Sequence, residues 1–158
     1  MASVTMVSLL LEAADKLVEE RPIGSSAFKR RAVSTAYYAV FHALARLCAD
    51  TLLQPADHTA DEYARIYRSL DHGSLRTAFS KEPLCSGEAF RKIGDLVVPL
   101  QSERHRADYL PPVRNIFSQI EVKKLMGQAR MAVSEIESLK LRDRRTLATC
   151  LLFRPRQP

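Results

Sequence analysis

The sequence predicts an all-α protein built as a single bundle of about five helices. A chain of 158 residues is the size of one domain and is long enough to bury a core. Only five glycines occur, and the alternation of apolar and polar residues that is typical of strands is scarce. With 46% apolar and 27% charged residues, the composition is that of a globular protein rather than a disordered one.

The second predicted helix is the most strongly marked, and we expect it to be central. The first helix is predicted over residues 5–20 and ends at the proline and glycine of residues 21–24. Ser25 or Ser26 then caps the second helix. Two apolar stripes along this helix predict burial on more than one side. The stripes are Phe28, Ala32, Ala36, Ala39, Ala43 and Leu47, and Tyr37, Val40, Phe41, Leu44 and Cys48.

The remaining helices are expected to be shorter or interrupted. They are predicted over residues 61–70, 88–108 and 120–141, with a further turn or two of helix before Pro83. Pro99 lies within residues 88–108, where its missing backbone N–H is expected to kink or restart the helix. Two prolines mark a loop over residues 110–118.

The bundle is expected to cover residues 1–141 and to be followed by a basic C-terminal tail over residues 142–158. The tail contains five arginines against Asp143 alone, which accounts for +4 of the net charge of +6. Either the tail contacts phosphates or it is a frayed, solvated end. Its apolar stretch, residues 147–153, packs either on the bundle or on a partner.

Several classes of protein are disfavoured by the residues present. No stretch approaches the roughly 20 apolar residues of a membrane span, and no basic region precedes the first apolar run. Cys48, Cys85 and Cys150 form no Cys-x-x-Cys pair, which favours a reduced, cytoplasmic protein. The four histidines lack metal-ligand spacing, and there is no glycine-rich phosphate loop. We therefore expect no membrane contact, no metal and no cofactor.

A cluster of chemically active residues closes the fourth predicted helix. Helical spacing places Arg104 and Asp108 on one face, one turn apart. The same spacing places His105 and Tyr109 on the adjacent face. One interpretation is structural, an arginine–carboxylate pair with a tyrosine anchoring the helix end. The other is an anion site, in which arginine holds a phosphate bidentately while imidazole or phenol moves protons. His42, on the second helix, is expected to be a buried imidazole hydrogen-bonded to a neighbour.

Three segments of the chain together resemble the HEPN superfamily (higher eukaryote and prokaryote nucleotide-binding). They are residues 36–43 (Ala-Tyr-Tyr-Ala-Val-Phe-His-Ala), residues 70–76 (Leu-Asp-His-Gly-Ser-Leu-Arg) and residues 104–109 (Arg-His-Arg-Ala-Asp-Tyr). They occur in the order expected for the family. The likeness is greatest to a branch of small stand-alone bacterial and archaeal proteins, and it covers roughly residues 5–140, leaving the tail outside.

The resemblance implies an antiparallel helical bundle that forms a homodimer, with the arginine motifs of both protomers facing a shared cleft. In active relatives this cleft is a metal-independent RNase site. The arginine holds the scissile phosphate, and a histidine assists attack by the ribose 2′-hydroxyl. Arg104 matches that arginine and His105 matches the polar residue after it, whereas Tyr109 occupies the position of the histidine. A phenol is a poorer general base at neutral pH than an imidazole.

The tyrosine leaves open which residue would move the proton. Either His105 takes this role, or the site binds RNA without cutting it. His72 is a third candidate, if the fold brings it to the cleft. The further residues expected to contribute to binding are Asp108, Arg106 and His72.

Two functions follow from the resemblance, and a third requires no ligand. The first is a protein that binds and cleaves RNA without metal, as an endoribonuclease of a toxin–antitoxin pair, since many relatives are toxins encoded beside a nucleotidyltransferase antitoxin. The second is a non-catalytic interaction module that binds a nucleotide or a partner protein such as a nucleotidyltransferase. The third is a structural bundle in which Arg104 and Asp108 simply pair.

Overall fold

The computed structural model describes residues 4–19, 26–53 and 58–154, and within these ranges it contains seven α-helices and no strand. The predicted all-α class is therefore confirmed. The helices are α1 (Met6–Glu19), α2 (Ser26–Leu52), α3 (Ala60–Ser69), α4 (His72–Phe79), α5 (Glu88–Tyr109), α6 (Gln119–Ser138) and α7 (Leu141–Leu152). Residues 20–25, where the sequence places the end of the first helix and the Ser25 cap, lie outside the described residues.

α2 is the centre of the bundle, as its two apolar stripes predict. It contacts α1, α3, α5, α6 and α7. Ala36 and Ala39 are fully buried, and because an alanine side chain is a single methyl group, neighbouring helices can approach closely there. Tyr37 is also fully buried, so its hydroxyl needs a partner inside the protein.

Two short helices follow α2, and a side chain caps the start of each. Thr59 and Glu62 form a capping box at α3, in which the Glu62 N–H donates to Thr59 Oγ1 at 3.2 Å. Asp71 caps α4 by accepting from the N–H groups two and three residues further on, at 3.0 and 3.1 Å. The expected turn or two of helix is thus the eight-residue α4, and its cap fixes His72 as the first helical residue.

α5 carries the candidate residues near its C-terminal end. It continues through Pro99 as a single helix, so the restart expected there does not occur. Proline removes one interior hydrogen bond, and the exposed position of Pro99 lets the rest of the helix keep its packing. The helix ends at Tyr109 because Leu110 precedes a proline and is extended, with ψ of 144°.

A seventh helix stands where the sequence predicts a basic tail, so the count of about five helices is too low. Leu147, Ala148 and Leu151 of α7 are buried, and α7 packs on α2 and α4. Within the predicted tail, residues 142–152 are therefore helical, and the apolar stretch from residue 147 packs on the bundle. Residues 155–158 lie outside the described residues.

Arg144 shows why α6 ends at Ser138 rather than at the predicted residue 141. Its Nε donates to the carbonyl of Leu139 at 2.8 Å, and its Nη2 donates to the carbonyl of Glu137 at 2.7 Å. The last carbonyls of a helix have no partner within the helix, so a guanidinium that binds two of them stabilises the break.

Candidate functional site

Arg104 is the centre of the candidate site, and most of its side chain is enclosed. Its Nη2 donates to Tyr38 Oη at 2.7 Å, and its Nε lies 2.8 Å from Asp108 Oδ2. The Arg104 side chain is 14% exposed and that of Asp108 is 21% exposed. The ion pair predicted from their spacing is therefore present. The buried Nε–H is not aligned with the carboxylate for a hydrogen bond, so the pair is held by charge.

Three phenol rings surround the Arg104 guanidinium. Its central carbon lies 5.3 Å from the ring centroid of Tyr38, 5.5 Å from that of Tyr109 and 6.0 Å from that of Tyr37. Cations at such distances are attracted by the ring faces, at about 0.5–2 kcal/mol per contact. Tyr37 and Tyr38 come from α2, sixty-six or more residues before Arg104. The site is thus formed where the centre of α2 meets the last two turns of α5.

The Arg104 side chain keeps its charge. Burial acts to lower the pKa of this guanidinium, but the hydrogen bond to Tyr38 and the charge of Asp108 outweigh burial, so that its pKa is raised. Within the described residues, Arg104 Nη1 has no hydrogen-bond partner. A fixed cation with a free N–H edge is suited to binding an anion.

His105 and Tyr109 form the exposed rim of the site. Their ring centroids lie 4.8 Å apart, one helical turn from each other, as the spacing predicts. Tyr109 is 63% exposed, and His105 is also exposed. Tyr109 therefore contacts the enclosed Arg104 guanidinium on one side and an exposed imidazole on the other.

The fold brings His72 to this site from α4. Its Nδ1 is hydrogen-bonded to Tyr37 Oη at 2.8 Å, and its ring lies against Phe41 with centroids 3.9 Å apart. The Gln101 side chain donates to the His72 backbone carbonyl. Burial lowers the pKa of His72, and the positive charge of Arg104 lowers it further. His72 thus lies beside Tyr37 and Tyr38, two of the phenol rings that surround Arg104.

The Arg106 side chain contacts the loop after α5 and Glu103, and it does not share the contacts of Arg104. Its Nη2 donates to the carbonyl of Ile116 at 2.9 Å, and its guanidinium carbon lies 5.0 Å above the Phe117 ring. Its Nη1 pairs with Glu103 at 3.1 Å. These contacts fasten the loop after α5 to the helix, so the binding role expected for Arg106 has no geometric support.

Open surface adjoins the site beside Asp108. A groove of about 460 Å³ runs between the end of α1, the start of α2 and the end of α5. Its lining residues include Phe28, Arg30, Arg31 and Asp108. Arg30 donates to the carbonyl of Leu110, which holds the chain after α5 against α2.

Two side chains of the site are not among the candidates from the sequence, although both lie in a recognised segment. Tyr37 and Tyr38 lie within residues 36–43, but only the fold shows that they contact Arg104 and His72. Outside the site and the recognised segments, Tyr67 of α3 is hydrogen-bonded through Oη to His42 Nδ1 at 2.5 Å. This bond confirms the expected role of His42 as an imidazole paired with a neighbour. Burial also lowers the His42 pKa.

Neither a metal-ion arrangement among the described residues nor a similar known protein extends this assignment. Among the described residues, no three or more His, Cys, Asp or Glu side chains are arranged to hold a metal ion. In that same part of the chain, no helix is long and apolar enough to cross a membrane. No protein-family model, no curated protein and no solved structure matches the chain. The HEPN resemblance therefore rests on the three sequence segments.

Proposed function

We propose that this chain is a HEPN-like protein that binds single-stranded RNA at Arg104 and cleaves it without metal. The observation that carries the proposal is the position of the Arg104 guanidinium, enclosed by three phenol rings with a free N–H edge. A planar, permanently charged fork matches the geometry of a phosphate better than a lysine ammonium does. The rings fix its orientation before any ligand binds.

The exposed rim supports single-stranded RNA rather than a free anion as the ligand. Unpaired bases bind proteins by stacking on aromatic side chains, at about 1–3 kcal/mol per base. Tyr109 and His105 place two exposed rings beside the phosphate-binding group. A phosphate at Arg104 and an adjacent base on the Tyr109 ring would use both parts of the site.

The cleavage reaction of the proposal needs no metal and no co-reactant. The ribose O2′ attacks the neighbouring phosphorus, the bond from phosphorus to O5′ breaks, and the products are a 2′,3′-cyclic phosphate and a 5′-hydroxyl. One proton leaves O2′ and one is delivered to O5′, which are tasks for general base and general acid. Arg104 neutralises the charge that develops on the phosphate oxygens.

The proposal includes a homodimer, and exposed apolar residues beside the site support it. Tyr109, Leu110 and Val113 are all exposed at the end of α5 and in the following loop. Their contact with a second copy would bring two Arg104 sites together across one cleft. Light scattering tests this part by itself, because a monomer at all concentrations would contradict the shared cleft.

A second candidate function is a non-catalytic module that binds a nucleotide or a partner such as a nucleotidyltransferase. The Arg104–Asp108 ion pair favours this alternative, because a carboxylate already occupies part of the guanidinium. Tyr109, where active relatives have histidine, favours it too. This candidate predicts no cleavage under any condition and a partner protein that co-purifies.

Incubation of the purified protein with labelled single-stranded RNA in EDTA tests the first proposal. Wild type and Arg91→Ala should cleave at equal rates, whereas identically purified Arg104→Ala should fall to background. Arg91 is a matched control because it is an exposed arginine of the same helix. Cleavage by Arg104→Ala at the wild-type rate would exclude this site. RNA binding that depends on Arg104 without cleavage would contradict the cleavage step and keep the binding site.

A further inference from the structure

His72 is held more firmly than any other imidazole near Arg104. The Asp71 cap fixes the start of α4, and the Gln101 side chain binds the His72 carbonyl. Its ring is stacked on Phe41 and hydrogen-bonded to Tyr37. Because the backbone and Nδ1 of this half-buried histidine are both fixed, its second ring nitrogen, Nε2, has one orientation.

The hydrogen bond to Tyr37 determines which nitrogen of His72 carries the proton. Tyr37 is fully buried, and burial raises the pKa of its phenol well above the ordinary value, so the phenol keeps its proton. Within the described residues, His72 Nδ1 is the partner of Tyr37 Oη. The phenol therefore donates to Nδ1, and neutral His72 carries its own proton on Nε2.

His72 and Arg104 border the same two rings. The Arg104 guanidinium carbon lies within 6.0 Å of the centroids of Tyr37 and Tyr38. The His72 ring centroid lies 5.6 and 5.7 Å from the same two centroids. Within the part of the chain that the structure describes, Nε2 of His72 has no hydrogen-bond partner. Two free N–H donors, one on each side chain, thus flank one aromatic pair.

We propose that His72 Nε2 is the second hydrogen-bond donor of the Arg104 site, contacting the same phosphodiester or its adjoining ribose. This inference rests on the proposed function. It assigns the imidazole of the site to α4, whereas the sequence resemblance places it on α5 at Tyr109 or His105. In the cleavage reaction, the His72 imidazolium that forms beside the bound phosphodiester delivers its Nε2 proton to O5′ and returns to the neutral imidazole.

The competing imidazoles are arranged less well for this role. His105 is exposed, and its ring contacts that of Tyr109. His42 is hydrogen-bonded through Nδ1 to Tyr67, as His72 is to Tyr37, but its ring contacts Phe41 and Tyr67. Among these three histidines, only His72 has ring contacts with the two phenols, Tyr37 and Tyr38, that contact Arg104.

Binding of an anion at His72 should be linked to proton uptake. Without ligand, the imidazole is neutral at neutral pH, because burial and Arg104 lower its pKa. A phosphodiester stabilises the imidazolium, so the affinity should rise as the pH falls from neutral into the acidic range. The charged or titratable groups that face His72 are Asp71 on its own segment, Tyr37, Tyr38 and His42 on α2, and Arg104 on α5.

The test uses a fluorescently labelled 2′-O-methyl oligoribonucleotide, which cannot be cleaved and whose phosphodiester charge is constant between about pH 5 and pH 8. Anisotropy gives its affinity for wild type, His72→Asn, His72→Gln and the control His58→Gln, which changes an imidazole stacked on Tyr63 of α3. Asparagine reaches only the Nδ1 position, so we expect about tenfold weaker binding. Glutamine places an N–H near the Nε2 position, so it should restore the affinity at pH 8 without the rise at low pH. His58→Gln should retain both the affinity and its rise at low pH.

Each outcome decides between this inference and the function on which it rests. If Arg104→Ala binds the probe as wild type does, the proposed function fails. If Arg104→Ala weakens binding but His72→Asn does not, only the role of His72 is wrong. A rise at low pH that survives in His72→Gln also contradicts that role.

Tyr37→Phe keeps the inference testable if the His72 variants do not fold. Without the Tyr37 hydroxyl, the proton of a neutral His72 imidazole can lie on either nitrogen, so Nε2 is no longer always a donor. An imidazolium is not affected, because it donates from both nitrogens. Binding should therefore weaken by about threefold at pH 8 and stay unchanged at about pH 5. Unchanged binding at pH 8 would overturn the assignment.

Discussion

Asp108 is the residue at which binding and stability should respond in opposite directions. Its carboxylate lies 2.8 Å from Arg104 Nε and would face any phosphate bound to the same guanidinium. Asp108→Asn removes the charge but keeps a side chain of nearly the same shape, and Arg104 should keep its orientation through its hydrogen bond to Tyr38. RNA affinity should therefore increase while the free energy of unfolding decreases.

The magnitudes follow from the burial of the pair. Interactions with charged groups contribute about 1.5–3 kcal/mol when mostly buried, as these two side chains are. A carboxylate in the last turn of α5 is repelled by the negative end of the helix dipole, so removing its charge stabilises the fold by about 0.3–1 kcal/mol. The net loss of stability should be about 1 kcal/mol, or about 2–4 °C in Tm. If the Asp108 carboxylate lies about 6 Å from a phosphate bound at Arg104, their repulsion at an effective dielectric of about 40 is about 1.4 kcal/mol. Removing this repulsion corresponds to about tenfold tighter binding.

Glu103→Gln is the matched control for this prediction. Glu103 is a carboxylate of the same helix and pairs with Arg106 at 3.1 Å, away from Arg104. This variant should also lose a little stability, but its affinity should stay within about twofold of wild type. Fluorescence anisotropy and thermal unfolding measure both quantities for both variants. Weaker or unchanged binding by Asp108→Asn would refute Arg104 as the anion-binding group.

Three further predictions concern the rest of the fold. Leu147→Ala should lower the free energy of unfolding by about 2–5 kcal/mol, because Leu147 is fully buried in α7, whereas Thr149→Ala at an exposed position should have little effect; equal effects in chemical denaturation would place α7 outside the core. Burial lowers the pKa values of His42 and His72 in the folded chain, so the free energy of unfolding should be at its full value above about pH 6.5 and should decrease as the pH falls below it. His42→Gln should make this decrease with pH less steep, which denaturation at several pH values measures. Arg106→Ala should lose about 1–3 kcal/mol with the contacts to the following loop and leave RNA affinity unchanged, and a large loss of affinity would restore its binding role.

The local parts of the fold could be predicted because their signals are short in sequence. The two stripes of α2 predicted its central position, and spacing within one helix predicted the Arg104–Asp108 pair and the adjacent His105 and Tyr109. These relations depend only on helical geometry. They hold wherever the helix lies in the bundle.

The parts that could not be predicted depend on contacts between distant segments. Arg144 stabilises the end of α6 by binding the carbonyl of Glu137 in its last turn and that of Leu139 just after it, and the sequence of α6 contains no sign of this. The arginines of α7 outnumber its one acidic residue, Asp143, so its composition predicts a basic tail, whereas the helix buries Leu147, Ala148 and Leu151. Tyr38 and His72 reach Arg104 from α2 and α4, and periodicity within one helix contains no information about such encounters.

The most direct test of Arg104 as the RNA site compares the dissociation constants of Arg104→Ala and Arg91→Ala for one single-stranded oligoribonucleotide at one ionic strength. Both variants lose one positive charge, so the general attraction for phosphates changes equally. We predict at least about tenfold weaker binding for Arg104→Ala and nearly wild-type binding for Arg91→Ala. Equal dissociation constants for the two variants would contradict a site at Arg104 and leave it as a structural partner of Asp108.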